Sequence, residues 1–492
     1  MYKKLLFLLL IPAIGTSQTQ IGQRLEGDAN DDRFGSSVAL SANGTILAIG
    51  APLNDGNGTN SGHVQVYENI SGVWTQIGND IQGEGTSDRC GESVAISSNG
   101  NIVAIGAPSN KNGTGISSGH VRVFENISGV WTQIGGDIDG QVSQDRAGSC
   151  VALSADGTVV AIGADGNSAN GMNSGRVRVF RNIAGTWAQE GQSIDGIAAN
   201  DRTGYRVSLS SDGSILAVAS PWNDSQGLDS GLVRIYQNVA GTWTQMGQDL
   251  SETGTNLTGC GLALSSDGSI VAVGFPYDDN INGNKTGKVK IYKYSSSSWT
   301  QVGQDINGIT VDEYSGENLA LSSDGSVVAV SAILNNANGS STGRVRVYRN
   351  VGGSWVQAGS PLDGEAGGNF FGIGISLSSD GSTLAAGAIE TQAGINSSTR
   401  GYAKTYDLSA LLSSDSFVKA NFDVYPNPAT EVINITLENE LLLEDVVIYN
   451  NLGQIVKTAK DTTVNVSSLA KGLYHVEVIT NKGKAYKKVI LK

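Results

Sequence analysis

The apolar residues of this chain fall in short runs, and the runs recur in a fixed order. The first copy reads FGSSVALS from Phe34 to Ser41, then Asn43-Gly44, then TILAIGAP from Thr45 to Pro52. A polar stretch rich in Asn, Asp and Gly leads to Gly62, followed by HVQVYE from His63 to Glu68, a turn over Asn69 to Gly72, and VWTQI from Val73 to Ile77. Short runs rich in Val, Ile and Ala, bounded by Gly and Asn, predict strands rather than helices. The first two runs are apolar on both faces, which predicts strands covered on both sides. The third alternates, as in Val177-Arg178-Val179-Phe180, and predicts one face toward solvent or a polar edge. Asn-Gly between the first two runs predicts a two-residue hairpin turn, because both residues tolerate positive φ.

Three markers fix the period. Trp residues stand at 74, 131, 187, 243, 299 and 355, at spacings of 56 or 57. A turn glycine after Asn or Asp occurs at Gly44, Gly100, Gly157, Gly213, Gly268, Gly325 and Gly381, and a further glycine precedes each by nine residues, from Gly35 to Gly372. Four short strands in a repeating unit of about 56 residues describe a propeller blade. The fold class is therefore all-β, a seven-bladed β-propeller over residues 18–409. Each Trp is expected to wedge between neighbouring blades. The Trp of one blade is missing, but Gln18 to Gly22 matches the Thr-Gln-Ile-Gly that follows Trp74. Residues 18–25 are thus expected to supply the outer strand of the last blade and close the ring.

Composition agrees with this. The chain has 66 Gly, 8 Pro and only 16% charged residues, which suits many tight turns and few helices. The net charge of −14 disfavours nucleic acid and anionic membrane surfaces as partners. Lys3 and Lys4, the apolar run Leu5 to Ile14 and the small residues Gly15 to Ser17 read as a signal peptide over residues 1–17. The apolar run is too short to span a bilayer, and no other run approaches that length. Three cysteines, Cys90, Cys150 and Cys260, are expected to be small buried residues rather than a disulfide framework.

The pattern FG-x-SVALS, the turn, x-LAIGAP and G-x-VRVY resembles the FG-GAP repeats of integrin-α-like propellers, from residue 18 to about 409. The resemblance implies the fold. The acidic D-x-D-x-D-G calcium loop of many such repeats does not recur. Beyond a linker at residues 410–420 the repeat is gone. Alternating apolar residues at Val432, Ile435 and Leu437, and at Val446, Ile448 and Val456, predict a small β-sandwich over 421–492. Its markers are Pro426, Asn427, Pro428, Gly453, Gly472 and Tyr474, followed by the basic finish KAYKKVILK. This segment resembles the C-terminal sorting domain of the type IX secretion system. That implies partnership with the type IX machinery, passage through the outer membrane of a Gram-negative bacterium, and release or surface attachment.

Candidate chemistry is sparse. In a propeller the loops joining strands two to three and four to one share a face, and here these are the long ones. Four of them carry Asp-Arg: Asp32-Arg33, Asp88-Arg89, Asp145-Arg146 and Asp201-Arg202. These read either as Arg forks for a polar ligand or as repeated blade-to-blade salt bridges. Trp222 and Tyr277 are the aromatic residues the two-to-three loops offer. Asp28, Asn30 and Asp32, with Asp55, Asp224, Asp278 and Asp279, are oxygen donors of the kind Ca²⁺ takes, and equally ordinary turn residues. No other cofactor is implied. His63 and His120 share one repeat position, read as a third-strand surface site, and His475 lies in the tail; no nucleophile triad or metal-ligand spacing stands out. The expected function is a non-catalytic surface or secreted scaffold binding an extracellular protein or glycan through the long-loop face. The alternatives are a carboxylate-dependent glycan hydrolase or lyase on that face, and a purely structural surface component.

Overall fold

A computed structural model of the chain describes residues 18–111, 117–390, 400–412, 421–438, 441–450, 454–480 and 483–492. The leader expected at residues 1–17 and most of the expected linker lie outside them. The chain divides into two compact units, one spanning Thr19–Ser409 and the other including Ala410–Lys492.

The first unit holds seven antiparallel sheets. In the first, Ser37–Leu40 pairs with Ile46–Ala51, that strand with His63–Ile70, and the last with Val73–Gln76. A fifth strand of two residues, Ile81–Gln82, pairs with the start of the third strand. It is too short to leave a hydrophobic signature. The innermost strands pack in sequence around an axis, and Ile375–Leu377 of the seventh blade packs back onto Ser37–Leu40 of the first. A circle of backbone hydrogen bonds runs round one end of the channel. Ala42 N donates to Ser98 O, Ser98 to Ala155, Ala155 to Ser211, Ser211 to Ser266, Ser266 to Ser323, Ser323 to Ser379, and Ser379 N returns to Ala42 O at 2.8 Å. The seven-bladed ring is closed.

The N-terminus makes the closure. Thr19–Gln20 and Leu25–Glu26 both pair antiparallel with Tyr402–Asp407, the third strand of the seventh blade. Trp74 seals the seam from the first blade: its Nε1 donates to Thr405 Oγ1 at 2.9 Å and to Ile21 O at 3.2 Å. The Gln23 amide clamps the Trp74 backbone, donating to its carbonyl at 2.6 Å and accepting from its N–H at 3.1 Å. Trp243, Trp299 and Trp355 repeat this wedge, each donating to a backbone carbonyl of the preceding blade. The FG and GAP glycines meet between blades: a Cβ on Gly50 would sit 2.1 Å from Gly91 O, and one on Gly387 2.0 Å from Gly35 O. Only a bare Cα allows that approach.

Two local expectations change. In the turn after the inner strand only the glycine has positive φ, +71° at Gly44. Asn43 instead accepts from Ser41 Oγ and from Thr45 N through its side chain, so it is needed as a local acceptor rather than as a left-handed residue. In three blades the polar face of the third strand meets a polar edge rather than solvent, while Arg234 of the fourth stays partly exposed. Arg122, Arg178 and Arg346 are buried, because the short fifth strands and the loops entering each blade cover that edge. Arg122 donates to Gln82 O and Arg178 to Asp139 O, both at 2.6 Å, and both carbonyls belong to the preceding blade.

The C-terminal unit contains a three-stranded sheet, Phe422–Tyr425, Val432–Leu437 and Thr463–Asn465, and a four-stranded sheet, Ile455–Ala459, Leu443–Tyr449, Gly472–Thr480 and Gly483–Leu491. Ile433, Ile435, Val446 and Ile448 are buried, whereas Val432 stands on the opposite face from Ile433 and Val456 is exposed. The expected alternation holds at Ile435, Val446 and Ile448, whereas Val432 and Val456 fall one residue out of phase and so on the other face. Among the described residues no helix is long and apolar enough to cross a membrane.

Candidate ligand-binding mouth of the channel

The four-to-one and two-to-three loops do share a face, and between them the channel opens into a cavity of about 290 Å³. Arg33, Arg89 and Arg146 reach it from three successive blades, and Ile333, Ile373 and Ile389 line the side built by the later blades. The carboxylates Glu92, Asp165 and Glu317 line the same cavity, so the wall is mixed in charge, with its apolar side chains on the side of the later blades.

The Asp-Arg pairs build this wall by separating. In each, the residue after Asp has positive φ, 54° at Arg33, 59° at Arg89, 57° at Arg146 and 51° at Arg202. That reversal sends the two side chains apart. Asp32, Asp88, Asp145 and Asp201 are buried. Asp32 accepts from Ala29 N and Asn54 Nδ2, each at 2.9 Å, and Asp201 accepts from Ile197 N, Ala198 N and Asn223 Nδ2. Asp88 and Asp145 make the same set with Asn110 and Asn167. These carboxylates tie one long loop to the other and do not face the mouth. Glu313 holds the same place in the sixth blade, where Arg346 also grips it through two bonds of 2.8 and 2.9 Å, both side chains buried.

The arginines differ in their freedom. Arg89 lies 3.4 Å from Glu92; Arg146 donates to the buried Asp165 at 3.0 Å, and Arg202 approaches the same carboxylate at 3.9 Å. Arg33 makes no ion pair among the described residues. Among the described residues a blade-to-blade approach of these arginines to a carboxylate occurs once, between Arg202 and Asp165. Arg202 also lies over the Trp222 ring, 4.8 Å from its centroid, and Trp222 packs edge-on against Tyr205 at the cavity wall. Tyr277 packs edge-on against Tyr314, away from the cavity lining.

Sequence reasoning missed Arg206 and Glu317, which also line the cavity. Burial pushes the Glu317 carboxyl above its usual range, with the Arg206 guanidinium opposing. Their signal is position: each follows closely on a marker glycine, Gly204 or Gly316, where the repeats disagree with one another.

The residues suggested as Ca²⁺ ligands are dispersed. Asp55 accepts from Asn60 N, Asp224 from Asp229 N and Asp279 from Lys285 N, so each closes its own loop. Asp278 is paired with Lys288 at 2.9 Å. Asn30 is exposed, Asp32 faces inward, and Asp28 accepts from Gln65 Nε2 at 3.1 Å. The three do not form one loop site. His63 and His120, read as surface residues, are buried for the reason that buries the third-strand arginines. Cys90, Cys150 and Cys260 are buried and unpaired.

In the tail, Asn427 bonds the last strand through both ends of its amide, to Lys488 O at 2.8 Å and from Ile490 N at 3.0 Å. It stands between Pro426 and Pro428, each preceded by a cis peptide bond. Gly472 opens a strand, Tyr474 donates to Ala470 O at 2.8 Å, and Gly453 lies outside the described residues. Residues 423–492 match the family model of the secretion system C-terminal sorting domain, and residues 26–67 match that of the FG-GAP repeat. The chain is a β-propeller that carries an FG-GAP repeat and ends in a secretion sorting domain. It is accordingly an exported protein, secreted or held at the outer-membrane surface of a Gram-negative bacterium. No curated protein matches it. Among solved structures, the periplasmic gluconolactonase PpgL of Pseudomonas aeruginosa is similar with a TM-score of 0.45 at 18% identity, over 68% of this chain and 86% of that one.

Proposed function

We propose that the exported propeller is a binding scaffold, without catalysis, whose channel mouth takes a carboxylate-bearing glycan. The observation that carries this reading is Arg33, a cation without a carboxylate partner among the described residues, converging with Arg89 and Arg146 on one cavity. Arginine forks bind carboxylates through paired hydrogen bonds, and the apolar half offered by Ile333, Ile373 and Ile389 suits the faces of a sugar ring. The cavity volume suits one or two sugar units rather than a protein surface. Calorimetric titration with uronate oligosaccharides and with neutral oligosaccharides of equal length tests it. Binding of the uronates alone, lost in the triple variant Arg33→Ala, Arg89→Ala, Arg146→Ala, is expected. Uronate binding unchanged in that variant, or equal binding of neutral sugars, would refute it.

The second reading is a glycan hydrolase or lyase in the same cavity. One observation favours it: the carboxyl of Glu317, held above its usual range, shares the mouth with Glu92. A protonated carboxyl is what a general acid needs. Release of new chain ends from an acidic polysaccharide, abolished by Glu317→Gln with binding retained, would favour this reading over the scaffold.

A further inference from the structure

The third strand of every blade begins at one repeat position, occupied in order by His63, His120, Arg176, Leu232, Lys288, Arg344 and Tyr402. Two residues on, the order is Gln65, Arg122, Arg178, Arg234, Lys290, Arg346 and Lys404. Carboxylates from the adjoining loops gather there, and later blades neutralise them with these fixed cations. Arg176 pairs with Asp195, Arg234 with Asp249, Lys288 with Glu252 and Asp278, Arg344 with Asp363, and Lys404 with Glu365.

The first blade breaks the rule. It has His63 and Gln65 in these places, yet keeps two carboxylates, Asp28 and Asp80. The Gln65 amide donates to both, each at 3.1 Å, and Gln76 donates to Asp80 at 2.7 Å. The carboxylates are oriented but not neutralised. His63 is 0% exposed, and neither of its ring nitrogens has a hydrogen-bond partner among the described residues. A buried polar group of that kind is costly unless something satisfies it. Its Nδ1 stands 3.5 Å from Asp80 Oδ2, and one ligand atom from each of His63, Asp28 and Asp80 lies within 4.8 Å of the others. That separation is long for a hydrogen bond. It fits two donors on one metal ion: bonds of about 2.1 Å in a tetrahedron place donors about 3.4 Å apart.

The second blade carries a copy. His120 is also buried with both nitrogens unbonded, and its Nδ1 lies 3.8 Å from both Glu84 Oε2 and Asp137 Oδ2. There Arg122 is present, 3.8 Å from Glu84. Its charge opposes a second cation.

We propose that His63, Asp28 and Asp80 bind a divalent first-row metal ion, with Zn²⁺ as the reference ion, and that His120, Glu84 and Asp137 form a weaker second site. An imidazole among the donors selects for Zn²⁺ and its neighbours over Ca²⁺ and Mg²⁺, which take oxygen. Burial pulls the His63 imidazole below its ordinary value against the nearby carboxylates, which favours the neutral form that ligates. Asp28 lies on the segment leading from Leu25–Glu26, part of the seventh blade's sheet, into the first blade. An ion here joins that segment to the third strand of the first blade and reinforces the seam where the ring closes.

The test uses the purified full-length chain, stripped with a chelator and titrated with Zn²⁺ by calorimetry, with Co²⁺ as the spectroscopic probe. One tight equivalent is expected, with a weaker second and visible Co²⁺ bands of nitrogen–oxygen coordination. His63→Gln should lose the tight equivalent. Gln65→Arg, which installs the cation most other blades carry, should lose it too while keeping the apo-protein's melting temperature. That second variant guards against mere misfolding of the first. Zn²⁺ should raise the melting temperature of the parent and of the Arg33→Ala, Arg89→Ala, Arg146→Ala variant, but not of Gln65→Arg. A tight equivalent that survives both His63→Gln and Gln65→Arg, that disappears only with His475→Gln, or that is absent from the parent overturns the proposal. Glycan binding at the channel mouth is read separately, so either idea can fail alone.

Discussion

Removing the N-terminal segment through Glu26 should open the ring, and the structure sets the size of the effect. The deletion strips the outer strand from the seventh blade by taking away Thr19–Gln20 and Leu25–Glu26. It removes Leu25, which is buried, at about 2 kcal/mol for an aliphatic side chain returned to water. It also removes Arg24, whose guanidinium donates to Glu390 Oε1 at 2.9 Å and lies over the Tyr402 ring at 3.9 Å. Glu390 is only 5% exposed, and burial already pushes its carboxyl above the usual range. Leaving it without its cation costs about 3 kcal/mol. The two losses come to about 5 kcal/mol, a large share of the ~5–15 kcal/mol typical of a domain. At about 2.1 cal/mol/K per residue, a unit the length of Thr19–Ser409 should melt about 6 °C lower. Differential scanning calorimetry measures this, and hydrogen exchange locates it: amides of Tyr402–Asp407 should exchange faster while those of Arg344–Val351 keep their protection. A shift below about 1 °C, or unchanged exchange in Tyr402–Asp407, would show that the ring holds without its N-terminal strand and refute the closure argument.

Arg346→Met should destabilise the propeller by about 3–5 kcal/mol in chemical denaturation, because it leaves Glu313 buried and uncompensated, whereas adding Glu313→Gln should restore most of the loss. Acid should weaken the turns at the end of the channel opposite the mouth. Burial alone would raise the carboxyls of Asp156, Asp212, Asp267, Asp324 and Asp380, but hydroxyl and backbone donors overcome it and hold them below the usual range. Their stabilisation is present above the unfolded-state value near ~3.9 and is lost as pH falls through the depressed folded values. Replacing the five by Asn, which Asn43 and Asn99 already supply in the first two blades, should flatten the stability–pH curve below about pH 4. Deleting residues 421–492 should leave the propeller in the periplasm, as fractionation and surface labelling would report; normal surface display would count against the sorting assignment.

The blades were legible because their signals are redundant. Trp74 and its five counterparts, the turn glycines and the FG and GAP glycines each report the same period, and each has a steric reason to persist. The side-chain directions were not legible. Asp32 and Arg33 are neighbours in sequence, and only the positive φ at Arg33 reveals that one turns inward and the other toward the channel. Leu257, Tyr314 and Phe370 share that φ, at 50°, 57° and 51°. The reversal therefore belongs to the loop and not to arginine, and nothing in the residue identities announces it. The burial of His63 is hidden from the sequence for a related reason. Alternation in the third strand shows which residues share a face, but the loop that covers that face comes from the preceding blade.

What a single repeat sequence does offer is disagreement among its own copies. The position after each marker glycine reads Ser36, Glu92, Ser149, Tyr205, Cys260, Glu317 and Ile373, while the strand that follows hardly varies in character. All of these except Cys260 line the mouth. A column that varies between strands of constant character is freed from the packing that makes the blades alike, and so can take on a task the blades do not share. Gln65 is the same kind of signal, one neutral amide among six cations. Both places argued to bind something, the channel mouth and the His63 cluster, are where the repeat stops repeating. The physical reason is common to both: a ligand or ion that binds one side of a seven-fold ring must be met by residues that break its symmetry.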